Sequence, residues 1–279
     1  MLPIPAAASE DGSALGGLLV LLFLLLALLF FAGICFFIFK VFQWVMKRRA
    51  ERTTAMQAYA TERGLVYEGD KRLPRVTPLL KRNGGATGVV SGALPGGVVG
   101  RLANYQYSTG TGDDRRTYTF SVVLAPLPEV GSARLYCYRR DVGKLFDGIG
   151  DALTQYQTVE LESEAFSRSF RLVVKDEANM IAIRQLFSPS FIVYLSESVP
   201  DGFWFEVEDG NLVGAIDGEH WEEPAKLDAL CRATTTVAAR IREDVSERLD
   251  LRAAASPLPP PPPPAEPPPP PEEPPPPNP

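Results

Sequence analysis

The chain has 279 residues, 28 Lys and Arg against 34 Asp and Glu, a net charge of −6 and three cysteines. That length suffices for one domain with a sizeable core, and the acidic balance excludes nucleic acid as the main partner, because phosphate binding needs a cationic face. Cys35, Cys137 and Cys231 are too few and too scattered for a disulfide-stapled secreted module and suit a reducing compartment, although spacing alone leaves a Cys137–Cys231 disulfide open.

Residues 1–14 form a short segment with Glu10 and Asp11 but no Lys or Arg. Residues 15–39 (LGGLLVLLFLLLALLFFAGICFFIF) then exceed the roughly 20 apolar residues that cross a bilayer. A cleaved signal peptide has a basic start and a shorter apolar core, so this segment is read as a transmembrane helix. Lys40, Lys47, Arg48, Arg49 and Arg52 follow it, and residues 40–54 read as a basic juxtamembrane helix. The positive-inside rule then places the N-terminus outside and everything after Lys40 in the cytoplasm. Arginine outnumbers lysine, a GC-rich bacterial codon signature. The expectation is therefore a single-pass protein of a bacterial inner membrane. Gly16, Gly17 and Gly33 make no small-xxx-small pair, so nothing in the span argues for a helix dimer.

Residues 55–252 read as one α+β domain, mostly antiparallel with packed helices. Gly64 stops the juxtamembrane helix, and Leu65, Val66 and Tyr67 form a short strand. Residues 84–127 are Gly-punctuated β structure with a hairpin-like turn at 108–114, and residues 134–138 add a strand. In 159–166 (VELESEAF) the alternation predicts a strand with Val159, Leu161, Ser163 and Ala165 on one face and Glu160, Glu162 and Glu164 on the other. A strand at 170–174 follows, then an apolar helix opening at Asp176 or Glu177 and interrupted by Pro189, with a second helical turn over 192–195. Phe203 to Val207 and Leu212 to Ile216 make a hairpin around Gly210. Apolar residues from Leu227 to Leu249 recur at helical spacing, predicting a helix over 222–251 packed on the sheet, with a coiled coil as the alternative.

The run VELESEAFSRSFRLVVKDEANMIAIRQLFSPSFIVYL, followed by the Phe203-Trp204-Phe205 strand, resembles a bacterial family of single-pass, membrane-anchored α+β domains of unknown function. The likeness extends over about residues 55–250, with its core at 159–216. It implies a fold and a bacterial membrane setting, and it supplies no activity and no site residues.

No catalytic, metal or cofactor motif stands out. His220 is the single histidine, and neither cysteine has C-x-x-C spacing. The Gly-rich stretch at 92–97 lacks the Lys and Ser/Thr of a phosphate-binding loop, and Pro95 removes an amide donor. The basic residues are the remaining candidates. Lys47, Arg48, Arg49 and Arg52, together with Lys71, Arg72, Arg75, Lys81 and Arg82, are proposed contacts for anionic lipid, against the plainer reading of a solvated surface.

Residues 253–279 hold proline runs of six, five and four, and 17 of the chain's 27 prolines fall in the last 23 residues. Such a segment buries no core and is expected to be a disordered, extended polyproline tail. It reads either as a spacer or as a ligand for a polyproline-binding protein with an aromatic groove. Together these features point to a non-enzymatic interaction or scaffold domain, tethered to a membrane and carrying a recruiting arm. A membrane-bound enzyme using Cys137, Cys231 or His220, and a lipid- or envelope-sensing domain, stand as alternatives.

Overall fold

The structure, a computed structural model, describes residues 11–131, 133–140, 156–175 and 180–255. The proline runs and the expected helix start at Asp176 or Glu177 lie outside these residues. Helix α1 (Asp11–Glu62) is continuous. From Leu19 to Met46 its large apolar side chains are exposed. It is the one helix among the described residues long and apolar enough to cross a membrane, with mean hydropathy 3.1 over its best window and none of that window buried.

Past the basic residues the same helix becomes a core element. Met56, Tyr59 and Ala60 are buried at helical spacing. Gly64, at φ +67°, ends it in the left-handed conformation glycine tolerates. The Leu65 amide then donates back to the Ala60 carbonyl at 2.8 Å, which satisfies an orphan acceptor of the last turn.

Among the described residues nine strands follow: β1 (Val66–Gly69), β2 (Gly84–Ala93), β3 (Val99–Thr109), β4 (Arg116–Pro126), β5 (Arg134–Arg139), β6 (Gln157–Val159), β7 (Phe170–Val174), β8 (Trp204–Glu208) and β9 (Asn211–Asp217). They form one sheet in the order β1-β2-β3-β4-β9-β8-β5-β7-β6, with every pairing antiparallel. The first four are a meander. The chain then skips two places to lay down β5, and the late β8–β9 hairpin fills the gap. The other α-helices among the described residues are α2 (Glu164–Ser169), α3 (Met180–Leu186), α4 (Pro189–Glu197) and α5 (Pro224–Ala255). An α+β fold of anchor-type helix, large antiparallel sheet and packed helices is what the sequence predicts.

One expectation fails. Residues 159–166 are not a strand. β6 ends at Val159, and Ser163 caps α2, its hydroxyl accepting from the Phe166 amide at 3.3 Å. Alternation stops because Phe166 must turn inward with Phe170, and their rings stack at 5.1 Å. The proline at 189 opens α4 as its first residue, where its missing N–H costs nothing, so a full helix replaces the single turn expected there.

The sheet is buried on both faces. On one face, α1, α5 and α2 to α4 cover Val90, Leu102, Val123, Leu135, Cys137, Phe205 and Ile216. On the other, a strap of irregular chain at 70–83 lays Leu73, Leu79 and Leu80 over Val89, Tyr105, Phe120, Val122, Tyr138 and Trp204. Helix α5 comes close enough to β9 that a Cβ on Gly214 would overlap the Thr234 hydroxyl, which itself bonds the Leu230 carbonyl at 2.9 Å. Thr234 is thus part of the contact between helix and sheet, which is the packed helix rather than the coiled coil. Gly214→Ala should therefore destabilise the domain by about 1–3 kcal/mol. In the Thr234→Ala background the part of that cost due to the hydroxyl should vanish, while the close approaches of the residue-234 Cβ at 3.1 Å and of Phe203 at 3.2 Å remain. A denaturant double-mutant cycle measures the coupling, and additivity would show that the close approach is not the cause.

Candidate functional site

The sequence-predicted basic residues separate into two groups. Arg48, Arg49 and Arg52 lie on one face of α1, together with Trp44 and Val45, and look across a cleft of about 330 Å³. The facing wall is Gly85, Thr87, Gln106, Glu219 and Trp221. Arg48 lies over the Trp44 ring at 5.6 Å, and Arg52 reaches Glu219 at 3.5 Å. Lys47 faces elsewhere and pairs with Glu51 at 3.8 Å.

The second group is spread along the strap. Lys71 pairs with Glu68 at 2.8 Å, and Arg72 is exposed. Arg75 donates to Asn83 Oδ1 at 3.0 Å, Arg82 lies over the Tyr107 ring at 5.4 Å, and Lys81 reaches Glu208 Oε1 at 2.7 Å. Lys71 and Lys81 thus have internal partners. The Glu68 carboxyl is held down to about 2 by Lys71 first and then by Ser91, with Arg101 adding to it.

The wall of the cleft is fixed from behind. Its Glu219 and Trp221 belong to the loop from β9 to α5. The Gly218 amide donates to the Thr119 carbonyl at 2.8 Å, and the His220 amide donates to the Ser121 hydroxyl at 3.2 Å. Ser121 is fully buried and also lies 3.1 Å from both Gly218 O and Asn104 Oδ1. His220 packs in the same loop, with its ring nitrogens on Asp217 O at 2.8 Å and Glu223 Oε1 at 3.0 Å. The helix wall is fixed too. Arg63 makes two bonds to Asp228 of α5, at 2.7 and 2.8 Å, and lies 4.0 Å over the Tyr59 ring. The Tyr59 hydroxyl donates to the same carboxylate at 2.9 Å. Burial alone would raise the Asp228 carboxyl, but Arg63 and Tyr59 hold it below its ordinary range.

A second polar cluster escapes the sequence reading. Glu206 and Glu208 alternate with Phe205 and Val207 on β8, and both are buried under the strap. Glu206 accepts from the Leu79 amide at 3.0 Å and from the Tyr138 hydroxyl at 2.8 Å. Glu208 takes Lys81, the Tyr136 hydroxyl at 3.0 Å and Arg134 at 3.3 Å. A legible signal existed in the Trp204, Glu206, Glu208 alternation beside a row of tyrosines, but an acidic strand face normally reads as solvated. Desolvation pushes the Glu206 carboxyl up to about 7, against the pull of its hydrogen bonds.

The cysteines are free and buried at 137 and 231, and exposed at 35 in the apolar segment. Burial pushes the Cys137 thiol well up and the Cys231 thiol up to about 12. Among the described residues no group of three or more His, Cys, Asp and Glu is placed to hold a metal ion.

No protein-family model matches the chain. No curated protein matches it. Among solved structures, the crystal structure of the mycobacterial trehalose monomycolate transport factor A, TtfA, is similar with a TM-score of 0.41 and 10% identity, over 67% of this chain and 95% of that one.

Glu206 generates a pH dependence of stability. Its carboxyl is raised from 4.5 to about 7 on folding, so the folded state binds more protons than the unfolded one between those values. Stability from this group is full below about pH 4.5 and is lost as pH rises through 7, a fall of roughly 3 kcal/mol. Glu206→Gln should flatten that part of the profile in denaturant titrations from pH 4.5 to 7.5. An unchanged slope in the variant would assign the titration to another group.

Proposed function

We propose that this chain is a single-pass membrane protein that holds an α+β interaction domain at a fixed stand-off from the bilayer on the cytoplasmic side, and that its proline-rich tail recruits a partner. One observation carries this reading. A single unbroken helix has exposed apolar side chains at one end and core residues of the domain at the other. Between Gly33 and Gly64 it contains neither glycine nor proline, so no residue invites a hinge. Position in the membrane is therefore passed to the domain without slack. The basic flank after residue 39 supports a cytoplasmic domain through the positive-inside rule.

The arm belongs to residues 257–279 by composition, beyond α5, which runs to Ala255. Extended polyproline offers a preformed ligand for an aromatic groove, with little conformational entropy left to lose. A reporter joined after Leu251 tests orientation, and activity only outside the cytoplasm would overturn it. Replacing residues 257–279 with a Gly/Ser chain of equal length keeps the tether but loses the preformed helix. Partner capture should disappear with that replacement while the melting temperature stays unchanged. Capture that survives would move recognition onto the folded domain.

The enzyme alternative rests on Cys137, Cys231 or His220. Both thiols are buried and held neutral, and both His220 ring nitrogens are engaged within their own loop. A nucleophilic thiol needs exposure and a lowered pKa. Iodoacetamide should therefore leave Cys137 and Cys231 unmodified in the folded protein and alkylate both after unfolding. Rapid alkylation of either in the folded state would reinstate the nucleophile reading.

A further inference from the structure

We propose that the cleft between residues 44–52 of α1 and the facing ends of β2, β3 and the β9–α5 loop binds the phosphate of an anionic phospholipid, with Arg48, Arg49 and Arg52 as its ligands. The proposal rests on the reading that α1 spans the bilayer, and it adds a defined site where that reading has only a charged flank.

Charge and position carry it. Trp44, Arg48 and Arg52 recur every four residues along one helix face, and Val45 and Arg49 flank them. Trp favours headgroup depth. At 1.5 Å per residue, Arg48 and Arg52 stand about 6 and 12 Å further along the axis, within reach of headgroup phosphates for long side chains. Arg48 and Arg49 are exposed and have no carboxylate partner among the described residues. Arg52, with its side chain only 16% exposed, has Glu219 at 3.5 Å, a long and loosely held pair. Three guanidinium forks against one carboxylate leave net positive charge in the cleft, and the planar fork matches phosphate oxygens.

The cleft is built rather than incidental. Its helix wall is clamped through Arg63 and Asp228, and its loop wall is pinned through the buried Ser121. Thr87 and Gln106 add polar groups from the sheet. A volume of about 330 Å³ has room for a phosphate with its glycerol.

The membrane-facing side identifies the source of the phosphate. Trp44 and Val45 line the cleft and continue directly into the exposed apolar face of α1. A lipid would lay its acyl chains along that face with its phosphate among the arginines. Free phosphate would leave the apolar part of the cleft unused. Glu219 has a defined role in this arrangement, since it competes with the incoming phosphate for Arg52.

The test uses the full chain, reconstituted in nanodiscs of phosphatidylcholine with and without phosphatidylglycerol, and reads lipid retention by native mass spectrometry. The wild type should retain phosphatidylglycerol selectively. A basic residue at a membrane surface is worth about 1 kcal/mol, or roughly five-fold in binding. Replacing Arg48, Arg49 and Arg52 with Gln should therefore weaken retention by at least an order of magnitude. Replacing Lys71, Arg72 and Arg75 with Gln should leave it unchanged. The triple Arg→Lys variant keeps the charge but loses the fork, so it should bind more weakly than wild type. Glu219→Gln should bind several-fold more tightly, an opposite sign that misfolding would not produce. Equal loss in the strap variant, or no loss in the Gln triple, would overturn the proposal. Inorganic phosphate and glycerol phosphate form the soluble arm, and competition by either at millimolar concentration would overturn the lipid source. Carbonate extraction separates the two readings. A chain released from membranes refutes the anchor, whereas a retained chain with no preference for phosphatidylglycerol refutes only the site.

Discussion

Everything in this molecule depends on one helix having to suit two surroundings without a break. Within 19–46 each large apolar side chain of α1 points away from protein, and the helix satisfies its own backbone, which is the condition for crossing lipid. By Met56 the same helix must fit a packed core, so only a stripe can be apolar there. The change takes place between Met46 and Arg52, where Lys47, Arg48 and Arg49 interrupt the apolar run. The core end is then secured by more than hydrophobic burial. Arg63 and Tyr59 both bind Asp228, which ties the final turn of α1 to α5. That clamp is what makes the helix part of the domain rather than a leash to it.

The sheet imposes the second constraint. A nine-stranded antiparallel sheet covered on one face only would expose Val122, Trp204 and Tyr138 to water. Helices cover one face, and the other is closed by chain without regular secondary structure. Such a strap brings backbone amides into the interior with no ladder to receive them. The Leu79 amide is answered by Glu206, and Lys81 is drawn to Glu208. Burying a carboxylate is costly, which is why Glu206 titrates so high. The polar cluster is therefore intelligible as the way an irregular strap is held.

Local features of the fold were legible in the sequence. The apolar helix, the glycine at 64, the 108–114 turn and the hairpin around Gly210 depend on residues near one another, and all are present. The failures are non-local or arise where two local patterns compete. Residues 159–166 alternate like a strand, yet Ser163 is a helix cap and Phe166 and Phe170 have helical spacing. Insertion of β5 between β8 and β7 joins segments some 35 to 70 residues apart, beyond any periodicity. The basic residues were visible as a list but not as a site. Three of them gather at the cleft only because α1 passes the ends of β2 and β3. Lys81 is drawn to Glu208, a residue whose burial no sequence pattern announces. The wall opposite the arginines, Glu219 with Ser121 behind it, had no sequence signal at all.

The arginine cleft also shows why the helix does not simply lie down on the sheet along its whole length. Around Met56 the contact is tight, and a Cβ placed on Gly88 would stand 3.0 Å from the Met56 side chain. One turn earlier a cleft lies between α1 and the strands, and Arg52 reaches across it to Glu219 of the β9–α5 loop at 3.5 Å. Apolar residues at 48, 49 and 52 would close that gap and gain burial, as they do one turn later. Arginine there forgoes packing energy and puts positive charge at the root of a chain whose net charge is −6. The cations of α1 therefore sit between its exposed apolar stretch and its buried stripe, and the cleft is where those two lengths of one helix meet.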